Sequence, residues 1–179
     1  MSKLGKKPIA IPKEAKVKVE SGKLILSGPK GSRELSLNDK IFSTTLSDDN
    51  NLILKPIKKS ESSKVMWGTT RSIINSAIIG VTVGHEKTLE LSGVGFRANL
   101  KGSILNLQLG FSHDISYKIP EDIKLTVEKS TVIKISGIDK KLVGKVAADI
   151  KMLKPVEPYK GKGIKEKGQY ILRKEGKKK

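Results

Sequence analysis

Lys23-Leu24-Ile25-Leu26-Ser27-Gly28-Pro29-Lys30-Gly31-Ser32-Arg33-Glu34-Leu35-Ser36-Leu37 is the stretch whose reading decides the fold. Leu24 and Leu26 occupy alternate positions, a Gly-Pro-Lys-Gly break follows, and Leu35 and Leu37 resume the alternation. Successive side chains of a strand point to opposite faces, so this pattern buries one face and the break supplies the turn of a hairpin. The same rhythm returns 81 positions later, where Leu105 and Leu107 match Leu24 and Leu26, and Lys145-Val146 match Lys64-Val65. What repeats is the order of elements more than the letters.

Around the first hairpin, Val17 and Val19 alternate with lysines, and Asp48-Asp49-Asn50-Asn51 marks a turn before Leu52-Ile53-Leu54. Those acids lack the further spaced ligands and distal glutamate of a calcium loop, so they read as a turn only. Ser60 is placed to cap a helix running to about Ile79, with Met66, Thr70, Ile73, Ile74, Ala77 and Ile78 as its buried stripe. In the second half, strands of period two are predicted at Leu89 and Leu91, at Val94, Phe96 and Ala98, and at Leu105, Leu107 and Leu109. Further strands fall at Ile115, Tyr117 and Ile119, at Leu125 and Val127, and at Ile133 and Ile135. Asp139 caps a second helix whose stripe is Leu142, Val143, Val146, Ala147 and Ile150, and Pro155 stops it. The expected fold is α+β: two similar small domains, each of antiparallel strands packed with one helix, plus basic terminal arms. The expected boundaries are 1–83 with a basic arm, 84–154, and 155–179 as a basic tail, because no apolar stripe extends past Leu153.

The 179 residues are 36% hydrophobic and 30% charged, a folding composition sufficient for one ordinary domain or two small ones. A net charge of +18, from 36 basic and 18 acidic side chains, repels itself and calls for a polyanionic partner, nucleic acid first. The charge is concentrated at the ends: residues 1–16 carry +4 and residues 154–179 carry +7, leaving +7 for the 137 between them. Only Arg33, Arg71, Arg97 and Arg173 are arginine, so the surface suits phosphate neutralisation better than bidentate reading of bases. Cysteine is absent, which removes disulfides and thiolate chemistry. The opening residues hold no secretory signal, and the most apolar stretch, Ile73 to Val83, is interrupted by Asn75 and Ser76 and too short to span a bilayer. A soluble protein that stays where it is made is expected.

Catalytic inventory is missing. His85 and His113 have no metal-ligating neighbour at helical or hairpin spacing, and there is no phosphate-cradling P-loop. Gly93-Val94-Gly95-Phe96 is a fragment of a dinucleotide signature set in a strand pattern, where close strand packing accounts for its glycines. No enzyme, cofactor, metal site or small-molecule substrate is expected. Seven aromatics cannot furnish an extended single-strand platform; Phe96, Phe111 and Tyr117 read as core, and Trp67 as packing.

The informative segment is 154–179. Pro155 and Pro158 keep it out of helix, and Gly161 and Gly163 would let backbone amides approach a phosphate. Lys160 and Lys162 supply charge beside them, and Tyr159 offers a flat face to a base or sugar. The candidate RNA-binding residues are Tyr159, Lys160, Gly161, Lys162, Gly163, Lys165, Lys167, Arg173, Lys174 and Lys177, with Lys6 and Lys7 from the N-terminal arm. On charge alone a polybasic nucleic-acid module and a membrane-surface module stay open, although both helices look core-facing rather than basic and amphipathic.

Pro158-Tyr159-Lys160-Gly161-Lys162-Gly163-Ile164 resembles the C-terminal signature of bacterial-type large-subunit ribosomal protein six, the L-six family. Further matches follow in order: Lys6-Lys7-Pro8-Ile9 with Ile11-Pro12, Trp67-Gly68-Thr69-Thr70-Arg71, Gly80-Val81-Thr82, Gly93-Val94-Gly95-Phe96-Arg97-Ala98, and Leu109-Gly110-Phe111-Ser112-His113. The resemblance implies a structural constituent of the large ribosomal subunit that binds 23S-type ribosomal RNA near the stalk base, where elongation factors dock. It also implies neighbouring ribosomal proteins as partners, no cofactor, and a place in a cytoplasmic or organellar ribosome. By position it assigns the main RNA contact to the second domain and its tail. The chain departs from the family pattern at Lys165-Glu166, where Arg-Tyr is common, at Asp114, where proline is usual, and at His85, where phenylalanine is usual.

Overall fold

Two short polar residues start the two helices. The Ser60 hydroxyl accepts from the Ser63 amide at 3.3 Å, and an Asp139 carboxylate oxygen accepts from the Lys141 amide at 2.8 Å. Each satisfies a donor that the first helical turn leaves without an intrahelical partner. The computed structural model describes residues 3–20, 22–47, 50–57 and 60–176. In it the chain divides into two compact units, Met1–Gly84 and His85–Lys179.

The first unit runs β1 (Ile9–Ala10), β2 (Lys16–Glu20), β3 (Lys23–Gly28), β4 (Gly31–Ser36), β5 (Phe42–Ser47), β6 (Asn51–Pro56) and α1 (Glu61–Thr82). β2, β3 and β4 form an antiparallel meander with Leu24 opposite Leu35, and β1, β6 and β5 form a second antiparallel sheet. Helix α1 packs on β3, β4 and β6. Leu24, Leu26, Leu52 and Ile74 are fully buried in this unit. Gly28 lies so close to the Val81 carbonyl that no side chain would fit, and the Lys30 amide donates to that carbonyl at 3.0 Å, so the hairpin tip is fixed to the helix end.

The inward stripe of α1 differs from the expected one. Met66 is 47% exposed, and Trp67 turns inward in its place. The Trp67 indole N–H donates to the Leu54 carbonyl at 2.8 Å, which satisfies the polar edge of a large buried ring. Gly5 lies flat against that ring. Of the expected turn before β6, Asp48 and Asp49 lie outside the described residues; Asn50 adopts a φ of 56° and donates to the Ser47 carbonyl at 3.1 Å.

The second unit runs β7 (His85–Ser92), β8 (Arg97–Lys101), β9 (Ile104–Gln108), β10 (Ile115–Lys118), β11 (Ile123–Glu128), β12 (Val132–Gly137), α2 (Lys140–Leu153) and β13 (Gly163–Glu166). β8, β9 and β10 repeat the meander, and the second sheet has the order β11-β12-β7-β13. Helix α2 packs on β7, β12 and β13, burying Val143, Val146, Ala147 and Ile150 against Leu89, Ile133, Ile135 and Ile164.

Three further expectations about the path of the chain are corrected. Gly93-Val94-Gly95 is a turn between β7 and β8, not part of a strand. Gly95 has a φ of 78°, Val94 is 93% exposed, and the Phe96 ring tucks under Gly93, leaving no room for a Cβ. Phe111, expected in the core, is 45% exposed. The expected tail 155–179 is not an appendage. Gly163–Glu166 pair antiparallel with β7, from Gly163 opposite Ser92 to Glu166 opposite Leu89, and Ile164 is fully buried. The outer edge of β7 provides the hydrogen-bonding partner, and Ile164 joins the core cluster beside α2.

Candidate nucleic-acid interface

Pro155 has no amide hydrogen to continue α2, and the chain leaves the helix at Lys154. Two backbone bonds then close a loop: the Glu157 amide donates to the Lys162 carbonyl, and the Ile164 amide to the Lys154 carbonyl, each at 2.9 Å. Tyr159 and Lys160 stand at the tip of this loop, with Tyr159 58% exposed. Lys162 is exposed on the return side.

The loop's path depends on its glycines. Gly163 has a φ of 143°, and a Cβ there would lie 2.6 Å from the Val156 Cα and 2.7 Å from the Pro155 carbonyl oxygen. Gly161 has a φ of 71° and faces the Arg173 guanidinium, which a Cβ would meet at 3.4 Å. Both residues are buried. This corrects the expectation that they present open backbone to a phosphate; they let the loop fold tightly and leave the exposed surface to their neighbours.

Beyond β13 the chain turns back. The Lys167 amide donates to the Thr88 carbonyl at 2.9 Å, the Gln169 amide closes a turn onto the Glu166 carbonyl at 3.0 Å, and the Lys174 amide reaches the Pro158 carbonyl at 2.9 Å. The last of these lays Arg173 and Lys174 beside the Tyr159 loop. Tyr159, Lys160, Lys162, Arg173 and Lys174 therefore form one exposed, folded group.

Lys165 is not part of it. Its ammonium pairs with Glu90 across the β13–β7 ladder at 3.1 Å. Lys167 is exposed at the turn after β13. Lys6 and Lys7 are exposed in the first unit, where Arg71 donates to the Lys7 and Pro8 carbonyls at 2.9 and 3.2 Å and fixes their backbone. Lys177 lies outside the described residues.

Glu166 has no counterpart among the expected site residues. Its two carboxylate oxygens receive Lys151 of α2 at 3.1 Å and Lys87 of β7 at 3.2 Å. Those hydrogen bonds, Lys151's first, hold its carboxyl below the usual glutamate range against the opposing effect of burial. The acid thus clamps β13 to α2 and β7 through two partly exposed ion pairs. No local signal marks this, because Lys87 and Glu166 are 79 residues apart.

Among the described residues no cluster of three metal-ligating side chains occurs, and no helix is long and apolar enough to cross a membrane. A groove of about 430 Å³ on the β8–β9 face is lined by Arg97, Asn99, Asn106, Gln108 and other mostly polar groups.

The family model described as Ribosomal protein L6 matches residues 11–84 and 92–167, the second segment taking in β13. A relative from Novosphingobium aromaticivorans, named large ribosomal subunit protein uL6, is 45% identical over 179 residues, the whole of both chains. Relatives of the same name from Sphingopyxis alaskensis and Nitratiruptor sp. are 45% identical over 179 residues and 47% identical over 177, the latter covering 99% of this chain and 98% of its own length. Two matched segments in the two units, and relatives alike from end to end, establish that the chain belongs to the ribosomal protein L6 family.

Proposed function

We propose that the protein binds large-subunit ribosomal RNA through the exposed group around Tyr159 and acts there as a structural constituent, without catalysis, cofactor or small-molecule substrate. The observation that carries this reading is the gathering of Tyr159, Lys160, Lys162, Arg173 and Lys174 on a support tied down by β13, while Glu166 is paired with Lys151 and Lys87. Lysines of this kind neutralise phosphates and release counterions, and they position the protein without reading sequence. Tyr159 adds a face on which one unpaired base can stack. Recognition by shape and phosphate follows, as expected for structured RNA. A site near the stalk base, with elongation factors and other ribosomal proteins as neighbours in a cytoplasmic ribosome, is the finer reading and rests on the family resemblance.

Sedimentation of an extract in magnesium tests the assignment. The tagged full-length chain is expected to migrate with large subunits. Recovery with membranes, or free at the top of the gradient, would favour a polybasic surface module instead.

A further inference from the structure

Leu109, just beyond β9, is fully buried, and Gly110 has a φ of 73°, with the Phe96 ring where a Cβ would meet it at 3.4 Å. Beyond buried Leu109, this turn projects the next residue, Phe111, into solvent at 45% exposure. The His113 ring lies beside Phe111 with 6.4 Å between centroids and 24° between planes. The Lys154 ammonium sits 4.3 Å from the centroid of the Phe111 ring. Lys154 is also the root of the proposed RNA-binding loop, since its carbonyl receives the Ile164 amide.

A single exposed apolar residue is ordinary on a protein surface. Here, however, one turn presents a stacked aromatic pair, with a cation held over it, in a protein with seven aromatics. A planar, anionic partner fits that combination: the rings offer a face to a base and the ammonium meets the adjoining phosphate. Asp114, next to His113 in the chain, accepts from the Gln108 amide at 3.3 Å.

We infer that Phe111, His113 and Lys154 form a second contact for the same RNA, with an unpaired base stacked on the Phe111–His113 pair. The inference rests on the RNA-binding reading above and extends it to a turn whose Phe111 the sequence pattern had assigned to the core.

The test uses the full-length protein and deproteinised bacterial large-subunit ribosomal RNA, titrated at several salt concentrations. Phe111→Leu keeps apolar bulk and removes the ring. It is expected to weaken binding at least ~5-fold, the low end of one base–aromatic stack, with an unchanged salt slope. Lys154→Gln should lower the slope by about one unit. Irradiation of the unaltered complex at short wavelength should crosslink RNA to Phe111 or His113, which decides the matter even if a variant folds poorly. Wild-type affinity for Phe111→Leu together with no crosslink at this turn would overturn the inference. The loop reading would survive that result if Lys160→Gln still weakened binding. A wild-type chain that bound no ribosomal RNA would sink both.

Discussion

In the first unit the sheet β1-β6-β5 ends at a two-residue strand, Ile9–Ala10; in the second, the corresponding neighbour of β12 is the eight-residue β7, which carries β13 on its outer side. Both units have a three-strand meander and one capped helix, so the addition stands out against a shared plan. In the first unit the basic segment near the N-terminus is fixed from outside the sheet, by Arg71 on two backbone carbonyls and by Gly5 against Trp67. In the second, the basic segment is itself a strand and contributes Ile164 to the core. The difference teaches that a lysine-rich C-terminal stretch can be a structural part and an exposed charged surface at once: its inward residues hold the sheet, and its loops present the charge.

Removing residues 155–179 is therefore expected to have the largest effect. The second unit loses a strand and a fully buried isoleucine, and amide hydrogen exchange should show β7 and α2 losing protection while α1 keeps it. Ile164→Ala isolates the packing part and should lower unfolding free energy by about 2–5 kcal/mol in urea, as for other buried isoleucines. Full protection of β7 and α2 in the truncated chain would erase the distinction between the units and return the segment to an appendage.

Glu166→Gln should have a smaller effect, about 1 kcal/mol, because both ion pairs are partly exposed and screened. Its pH dependence has a definite sign. The Glu166 carboxyl titrates below its unfolded value of about 4.3, so its contribution is present above that pH and lost as pH falls through the folded value. The difference in urea stability between wild type and variant should be steady near neutrality and vanish on strong acidification. A difference that persisted once all carboxylates were protonated would show that the variant acts through packing, not through the clamp.

The parts legible in the sequence were those with a repeating local signal. Leu24 and Leu26, and Leu105 and Leu107, announced the central meander strands, and Ser60 and Asp139 announced the helix starts. Three strands went unread. β1 is two residues long; β5, Phe42–Ser47, buries only Phe42 among serines and threonines; and β13 has one core residue, Ile164, in a charged run. None has an apolar period to detect, and each is set by the partner strand it meets. The Phe111 turn failed for the opposite reason: its apolar residue continued an apparent alternation that the chain ends at Gly110. In the candidate site, Tyr159, Lys160 and Lys162 were visible in one short motif. The return of Lys174 to Pro158, and the burial of Gly161 beneath Arg173, depend on tertiary bonds that no local pattern encodes.

The most direct test is a salt-dependent titration of large-subunit ribosomal RNA with the triple variant Lys160→Gln, Lys162→Gln and Lys174→Gln. Only side chains change, so the Lys174 amide still reaches Pro158 and the fold is expected to melt as wild type does. The slope of log affinity against log salt should become shallower by about 2 units, at roughly 0.7–0.9 for each phosphate that is no longer neutralised. A wild-type slope from a stably folded triple variant would contradict the account, because the exposed group around Tyr159 would then not be the surface that meets RNA.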